Sequence, residues 1–163
     1  MGLRLVRQVN ISFLAAATLA AWSCTYVPRD SHGALERVRD GVVRVGVVEH
    51  PPWTVIDDGV VSGIEPQLLE AWASRLGARV EWRAGDLDEL AEALHRRELD
   101  VLAGGLHQNT PYATKLALTQ PYAESQDPHR KTRRLVLAVT PGESALLFAL
   151  DQFVAALDRG TQP

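Results

Sequence analysis

ELDVLAGGLHQNTPY, Glu98 to Tyr112, is the stretch on which the fold turns. Its front half, Asp100 to Leu106, is a short apolar run that ends in paired glycines. A run of that kind suits a parallel strand buried on both faces. Its back half is polar and turn-prone, so the strand delivers Gly104, Gly105 and His107 to the carboxyl edge of the sheet. In open α/β sheets that edge is where ligands bind. Glycines carry no side chain, so a ligand can lie directly against backbone N–H groups there. A small-molecule pocket is the function class this stretch points to.

Working outward, VVRVGVVE (Val42 to Glu49) is a β-branched run that predicts the first strand. Pro51 and Pro52 end it, and Asp57-Asp58-Gly59 marks a turn before Val60 and Val61. From Glu65, the residues Leu68, Leu69, Trp72, Ala73 and Leu76 recur at helical spacing, with Gly77 at the helix stop. Arg79 to Trp82 predicts a second strand. Asp86 with Glu89 three residues on has the pattern of a capping box, ahead of an inner face of Leu87, Leu90, Ala91 and Leu94. Strand–helix–strand–helix–strand implies right-handed crossovers and an α/β fold with a mostly parallel sheet flanked by helices.

Beyond the deciding stretch, Thr110 to Leu116 suggests a helical turn and Ala117 to Tyr122 an extended segment. Ser125 to Arg134 is polar and holds a basic cluster of His129, Arg130, Lys131, Arg133 and Arg134, read as a solvated loop or a phosphate contact. LVLAV (Leu135 to Val139) predicts another buried strand. Pro141-Gly142 turns the chain, and Ser144 is placed to cap a final amphipathic helix through Leu146, Leu147, Leu150, Phe153, Val154 and Leu157.

The amino terminus has a different character. Arg4 and Arg7 precede an apolar stretch from Ile11 to Trp22, which is short for a membrane span and has the proportions of a secretory signal. Residues 1–23 are therefore read as a signal peptide, 24–41 as a tether and 42–160 as one domain. The single cysteine, Cys24, cannot form an internal disulfide, and lipid attachment would explain a thiol at that place. Export to the periplasm or the outer face of the cell, with a membrane anchor through Cys24, is the localisation expected. Removing residues 1–23 takes Lys+Arg from 17 to 15 against 20 Asp+Glu, a net charge of −5. That balance disfavours nucleic acid as a partner. The remaining chain of about 140 residues suits one modest core.

Four segments, in order, carry a family resemblance: VRVGVVEHPPW, SGIEPQLLEAWASRLGARVEW, LAEALHRRELDVLAGGL and TQPYAES. Together they resemble the first lobe of the extracellular solute-binding proteins of family 3, the polar amino-acid receptors of bacterial ABC uptake systems. RLVLAVTPGESALLFALDQFVAAL resembles the last strand and helix of the same family, which return to that lobe. Family members place a whole second lobe between those parts, whereas here residues 123–134 form the only connector. The resemblance thus implies a single-lobe, periplasmic-binding-protein-like domain. Hinge closure over a solute cannot occur within one such molecule. A second copy or a membrane permease would have to supply the missing lobe.

The resemblance also implies a site. Trp53 stands where the family packs an aromatic residue over the solute, and His50 at another ligand-facing position. Trp53 could equally cap the sheet edge, and His50 could be a polar loop residue. Gly104, Gly105 and His107 fall where the family offers backbone and polar groups, although the glycines could serve strand–helix packing alone. Tyr112 takes the place of the arginine that clamps a solute carboxylate, and no arginine lies between Leu99 and Tyr122. Lys115, the nearest cation, is a point charge unsuited to bidentate recognition. A neutral or aromatic-compatible solute fits these residues better than an amino acid does. Glu65 places negative charge near a helix N-terminus. Glu49, His50, Glu65 and His107 could converge on zinc, but their spacing matches no compact ligand motif. No nucleophile elbow, phosphate-binding loop or zinc-protease helix occurs, so the chain is read as a binding domain without cofactor rather than an enzyme. A sensor or adaptor that docks protein at the same edge is the competing class.

Overall fold

A computed structural model describes residues 27–127 and 129–160. The elements follow the chain as α1 (Ala34–Val38), β1 (Val42–Val47), β2 (Val55–Asp57), β3 (Val60–Ser62), α2 (Ile64–Arg75), β4 (Arg79–Ala84) and α3 (Leu87–His95). Then come β5 (Val101–Ala103), β6 (Ala117–Leu118), β7 (Ala123–Gln126), β8 (Thr132–Leu135), β9 (Ala138–Val139) and α4 (Ser144–Gly160).

The central sheet has the order β4-β1-β5-β9-β6. β1 pairs in parallel with β4 (Val42 opposite Arg79) and with β5 (Val45 opposite Val101). β9 runs antiparallel to both β5 and β6, so four of its five strands share one direction. The mostly parallel α/β architecture expected from the strand–helix alternation is present. Period-2 burial shows why the apolar runs needed no polar face. Val101, Ala103, Leu137 and Val139 face one core with Leu69, Trp72, Leu146, Leu150 and Phe153. Leu102, Val136 and Ala138 face the other with Leu90, Leu94, Leu106 and Leu116.

Five local expectations are amended. Residues 24–41, whose polar composition reads as a tether leading into a short helical turn, do carry that turn as α1, but this second half is built into the domain, with Ala34 and Val38 buried. Asp30 fastens it, accepting from Leu35 N–H (2.6 Å) with one oxygen and from Ala145 and Leu146 N–H (2.6 and 2.9 Å) with the other. Glu143, also buried, accepts from Ala34 N–H at 3.2 Å. The cap of α4 is therefore Asp30 rather than Ser144, and the folded body begins before Val42.

Asp86 makes no capping bond at α3, and the carboxylate of Glu89, its expected partner, accepts from Arg83 instead (2.7 Å). The segment Thr110 to Leu116 is a series of turns, not a helix, closed by Ala113 N–H to Thr110 and Leu116 N–H to Tyr112 (both 3.0 Å). The connector 123–134 belongs to an antiparallel hairpin, β7–β8, with Ala123 opposite Leu135 and Gln126 opposite Thr132. Asp127 closes its turn, accepting from His129 and Lys131 N–H (both 2.9 Å) and from the Arg133 guanidinium.

At the opposite end of the sheet from the glycines, buried Asp100 accepts from Arg37 (2.7 Å), from Arg44 (2.9 Å) and from Arg44 N–H (2.9 Å). Burial would raise its pKa; the bonds from Arg44 and Arg37 outweigh that and hold it below the ordinary aspartate value.

Candidate functional site at the carboxyl edge

The chain leaves β1 at Val47, leaves β5 at Ala103 and enters α2 at Ile64, and these three points meet at one edge. After Ala103 the backbone turns through Gly104 (φ 124°) and Gly105 (φ 66°), both left-handed conformations that a side chain resists. A Cβ on Gly104 would overlap the Val48 backbone, and one on Gly105 would overlap the His50 ring. Close packing accounts for Gly104. Gly105 is different, because its neighbours are functional groups.

Glu65 is the centre of this edge. Its side chain is wholly buried near the first turn of α2. Its carboxyl group accepts from Thr54 Oγ1–H at 2.5 Å, from Gly105 N–H at 3.0 Å and from the Tyr122 hydroxyl. Trp53 O accepts from Glu65 N–H at 3.0 Å, which ties the 50–54 loop to the helix start. Trp53 and Tyr122 then meet edge to face, with centroids 6.1 Å apart at 71°. Such pairs are favourable beyond their buried area. Burial, and then the neighbouring Glu65 carboxyl, raise the Tyr122 pKa far above the usual phenol range, so its hydroxyl is a donor at any physiological pH.

Of the residues picked out from sequence, the edge brings together Trp53, His50 and Gly105, with Gly104 immediately before them. The His50 ring lies against Gly105 and its side chain is exposed, while its backbone N–H bonds to Thr54 O at 2.8 Å. His107 lies two residues further on, bridged to Leu135 of the hairpin, and its Nδ1 is buried without a partner. Tyr112 goes elsewhere: its ring packs on the core beneath α3 and its hydroxyl bonds to Asp88. Glu49, His50, Glu65 and His107 form no metal-binding group among the described residues. Thr54 and Tyr122 were not picked out from sequence, and Glu65 was read as a helix-end charge or a member of a zinc set, not as the acceptor that joins them. The TQPYAES segment was the one signal for Tyr122; nothing local marks its bond to a residue 57 positions away.

Comparison with known proteins fits this geometry. Membrane-bound lytic murein transglycosylase F of Idiomarina loihiensis is 31% identical over 114 residues, covering 69% of this chain and 24% of that protein. The protein of the same name from Vibrio cholerae is 35% identical over 77 residues, 46% of this chain and 14% of its own length. This chain thus spans a quarter or less of those relatives. Among solved structures, the arginine-bound domain 1 of TmArgBP matches at TM-score 0.66 and 22% identity, over 74% of this chain and 97% of that one. The L-cystine solute receptor of Neisseria gonorrhoeae matches at TM-score 0.66 and 15% identity, over 78% and 91%. These likenesses concern the fold. The profile of the bacterial extracellular solute-binding proteins, family 3, matches residues 43–162. With that match running over most of the chain, the protein belongs to the bacterial extracellular solute-binding proteins of family 3.

Proposed function

We propose that this chain is an exported, membrane-anchored, single-lobe solute-binding protein rather than an enzyme, and that it works without a cofactor. Its solute rests on the edge made by Trp53, Tyr122, His50 and Gly105. The observation that carries this is the Trp53–Tyr122 pair, held over the buried Glu65 carboxyl at the end of the sheet where α/β folds bind ligands. Hydrogen bonds on three sides fix that group before any solute arrives, which lowers the ordering cost of binding. The isolated TmArgBP domain described as arginine-bound supports the idea that one lobe suffices to hold a solute. Delivery to an ABC permease follows the family's usual role, and either that permease or a second copy would complete the cleft. The signal peptide and Cys24 lie outside the described residues, among which no helix is long and apolar enough to cross a membrane.

A second reading has its own support. The relatives that share this region are membrane-bound lytic murein transglycosylases by name, so such a domain also occurs as part of a larger protein, and this chain would then be a sensor or adaptor module. In that case the edge docks protein and no solute binds. A thermal-shift screen of the full chain over amino acids, other small metabolites and divalent metals separates the two. A concentration-dependent rise, abolished by Trp53→Ala, supports solute binding. A folded protein with no shift across the panel supports docking.

A further inference from the structure

Family resemblance looks for a cationic clamp between Leu99 and Tyr122, and none is there. The hairpin brings one from elsewhere. Gln108 N–H bonds to Arg134 O at 3.1 Å and Val136 N–H to Leu106 O at 2.9 Å, so β8 is stitched along the 106–108 segment. His107, Gln108, Asn109, Thr132, Arg133 and Arg134 line a polar cleft of 360 Å³ between them, together with the Glu124 carboxylate, which stands opposite Arg134 in the hairpin.

The two arginines of β8 differ in their commitments. Arg133 is held by Asp127 through Nε (3.2 Å) and Nη2 (3.0 Å) and closes the turn. Arg134 is 62% exposed, and among the described residues its ionic contact is with Glu124 at 3.7 Å, itself 63% exposed. A long, solvated pair of that kind holds its partners weakly, so a better acceptor can displace it. Beside it, the His107 ring contributes Nδ1, shielded from solvent and bonded to nothing, and a buried polar atom without a partner is costly. Gln108, Asn109 and Thr132 add amide and hydroxyl donors.

We infer that this cleft is an anion subsite, in which Arg134, with His107 and the neighbouring amides, receives a carboxylate group of the bound molecule. The planar guanidinium suits a carboxylate through two parallel N–H···O bonds. His107 follows Gly105 by two residues, so the segment that leaves the Trp53 edge goes on to line the cleft, and the inference includes one solute with an apolar and an acidic end that occupies both. The inference rests on the solute-binding reading for that shared occupancy, but the cleft can be tested alone.

Succinate is the probe, with inorganic phosphate as the alternative oxyanion, titrated into the full 163-residue chain and followed by NMR of the His107 ring and the Arg134 Nε–H. Saturable shifts of both with succinate are expected, weaker with phosphate. Arg134→Gln should raise the apparent Kd about tenfold or more, the ratio that ~1.4 kcal/mol of lost charge-assisted bonding gives. Arg130→Gln, in the same hairpin but outside the cleft, should leave it within about twofold. Equal effects of the two substitutions, tighter binding of phosphate, or no saturable shift would overturn the inference. Trp53→Ala distinguishes the two levels. If solute binding at Trp53 fails, the succinate response persists; if the subsite fails, Trp53-dependent binding of neutral solutes persists.

Discussion

Replacing Glu65 is the sharpest test of how the edge is built. The wild-type carboxyl group accepts from Thr54 at 2.5 Å, from Gly105 N–H at 3.0 Å and from Tyr122, all at a fully buried side chain. In Glu65→Ala these three donors lose their acceptor together. Each buried donor left unpaired costs about 1–3 kcal/mol, and hydrogen bonds to a carboxyl group lie toward the upper end. Part of the loss is offset, because the variant no longer buries a polar group and the two hydroxyls can rotate toward other acceptors. The net expectation is about 2–4 kcal/mol of lost stability. Glu65→Gln keeps one acceptor oxygen and offers an amide to a rotated hydroxyl, so its cost should be about half as large. Urea unfolding followed by tryptophan fluorescence measures both, with the midpoint falling at unchanged slope. A double-mutant cycle with Tyr122→Phe should show coupling of about 1 kcal/mol. Stability of Glu65→Ala within about 0.5 kcal/mol of wild type, or no coupling to Tyr122, would refute the claim that Glu65 organises the edge.

Three further outcomes are expected. Gly104→Ala should be far more disruptive than Gly105→Ala. The first drives a Cβ into the Val48 backbone, costing about 3 kcal/mol or more, while the second meets only an exposed imidazole and costs about 1 kcal/mol; thermal unfolding ranks them. Asp30→Ala removes acceptors from the first turns of both α1 and α4 and should cost about 2 kcal/mol, and a chain beginning at Val42 should unfold at lower urea than one beginning at Val27. Acid should weaken the protein through Asp100. Its folded pKa lies below the ordinary 3.8, so stability from its bonds to Arg44 and Arg37 is present above that value and is lost as pH falls through it. Asp100→Asn should be less stable at neutral pH and lose less across that acid interval, measured by urea midpoints at each pH.

Much of the architecture was legible because local pattern and tertiary environment agree. The run Asp100 to Leu106 has apolar residues on both faces, and both faces are buried. Leu68 to Leu76 repeats at helical spacing because α2 lays one stripe on the sheet. Legibility ends where partners are far apart in sequence. Asp30 and Ala145 lie 115 positions apart, so the cap of α4 could not be read from Ser144, which sits inside the helix. Nearer in sequence, Glu89 fitted a capping box, yet its carboxylate bonds to Arg83, six positions back. Leu135 to Val139 read as one strand because an apolar run carries no information about direction or breaks; Leu135 pairs in the hairpin while Ala138 and Val139 join the sheet. The resemblance grouped Trp53, His50, Gly105 and Tyr112; the fold brings the first three to one edge, while the Tyr112 ring, placed by sequence beside them, turns toward α3 and Asp88.

The central claim, that one lobe binds a solute at the Trp53–Tyr122 edge, is tested most directly by ¹H–¹⁵N NMR of the full chain during titration with the small-solute panel. The account predicts saturable shifts centred on the Trp53 indole N–H and the Gly105 amide, both lost in Trp53→Ala. Shifts confined to other surfaces, or none with any solute while the spectrum remains that of a folded protein, would contradict it.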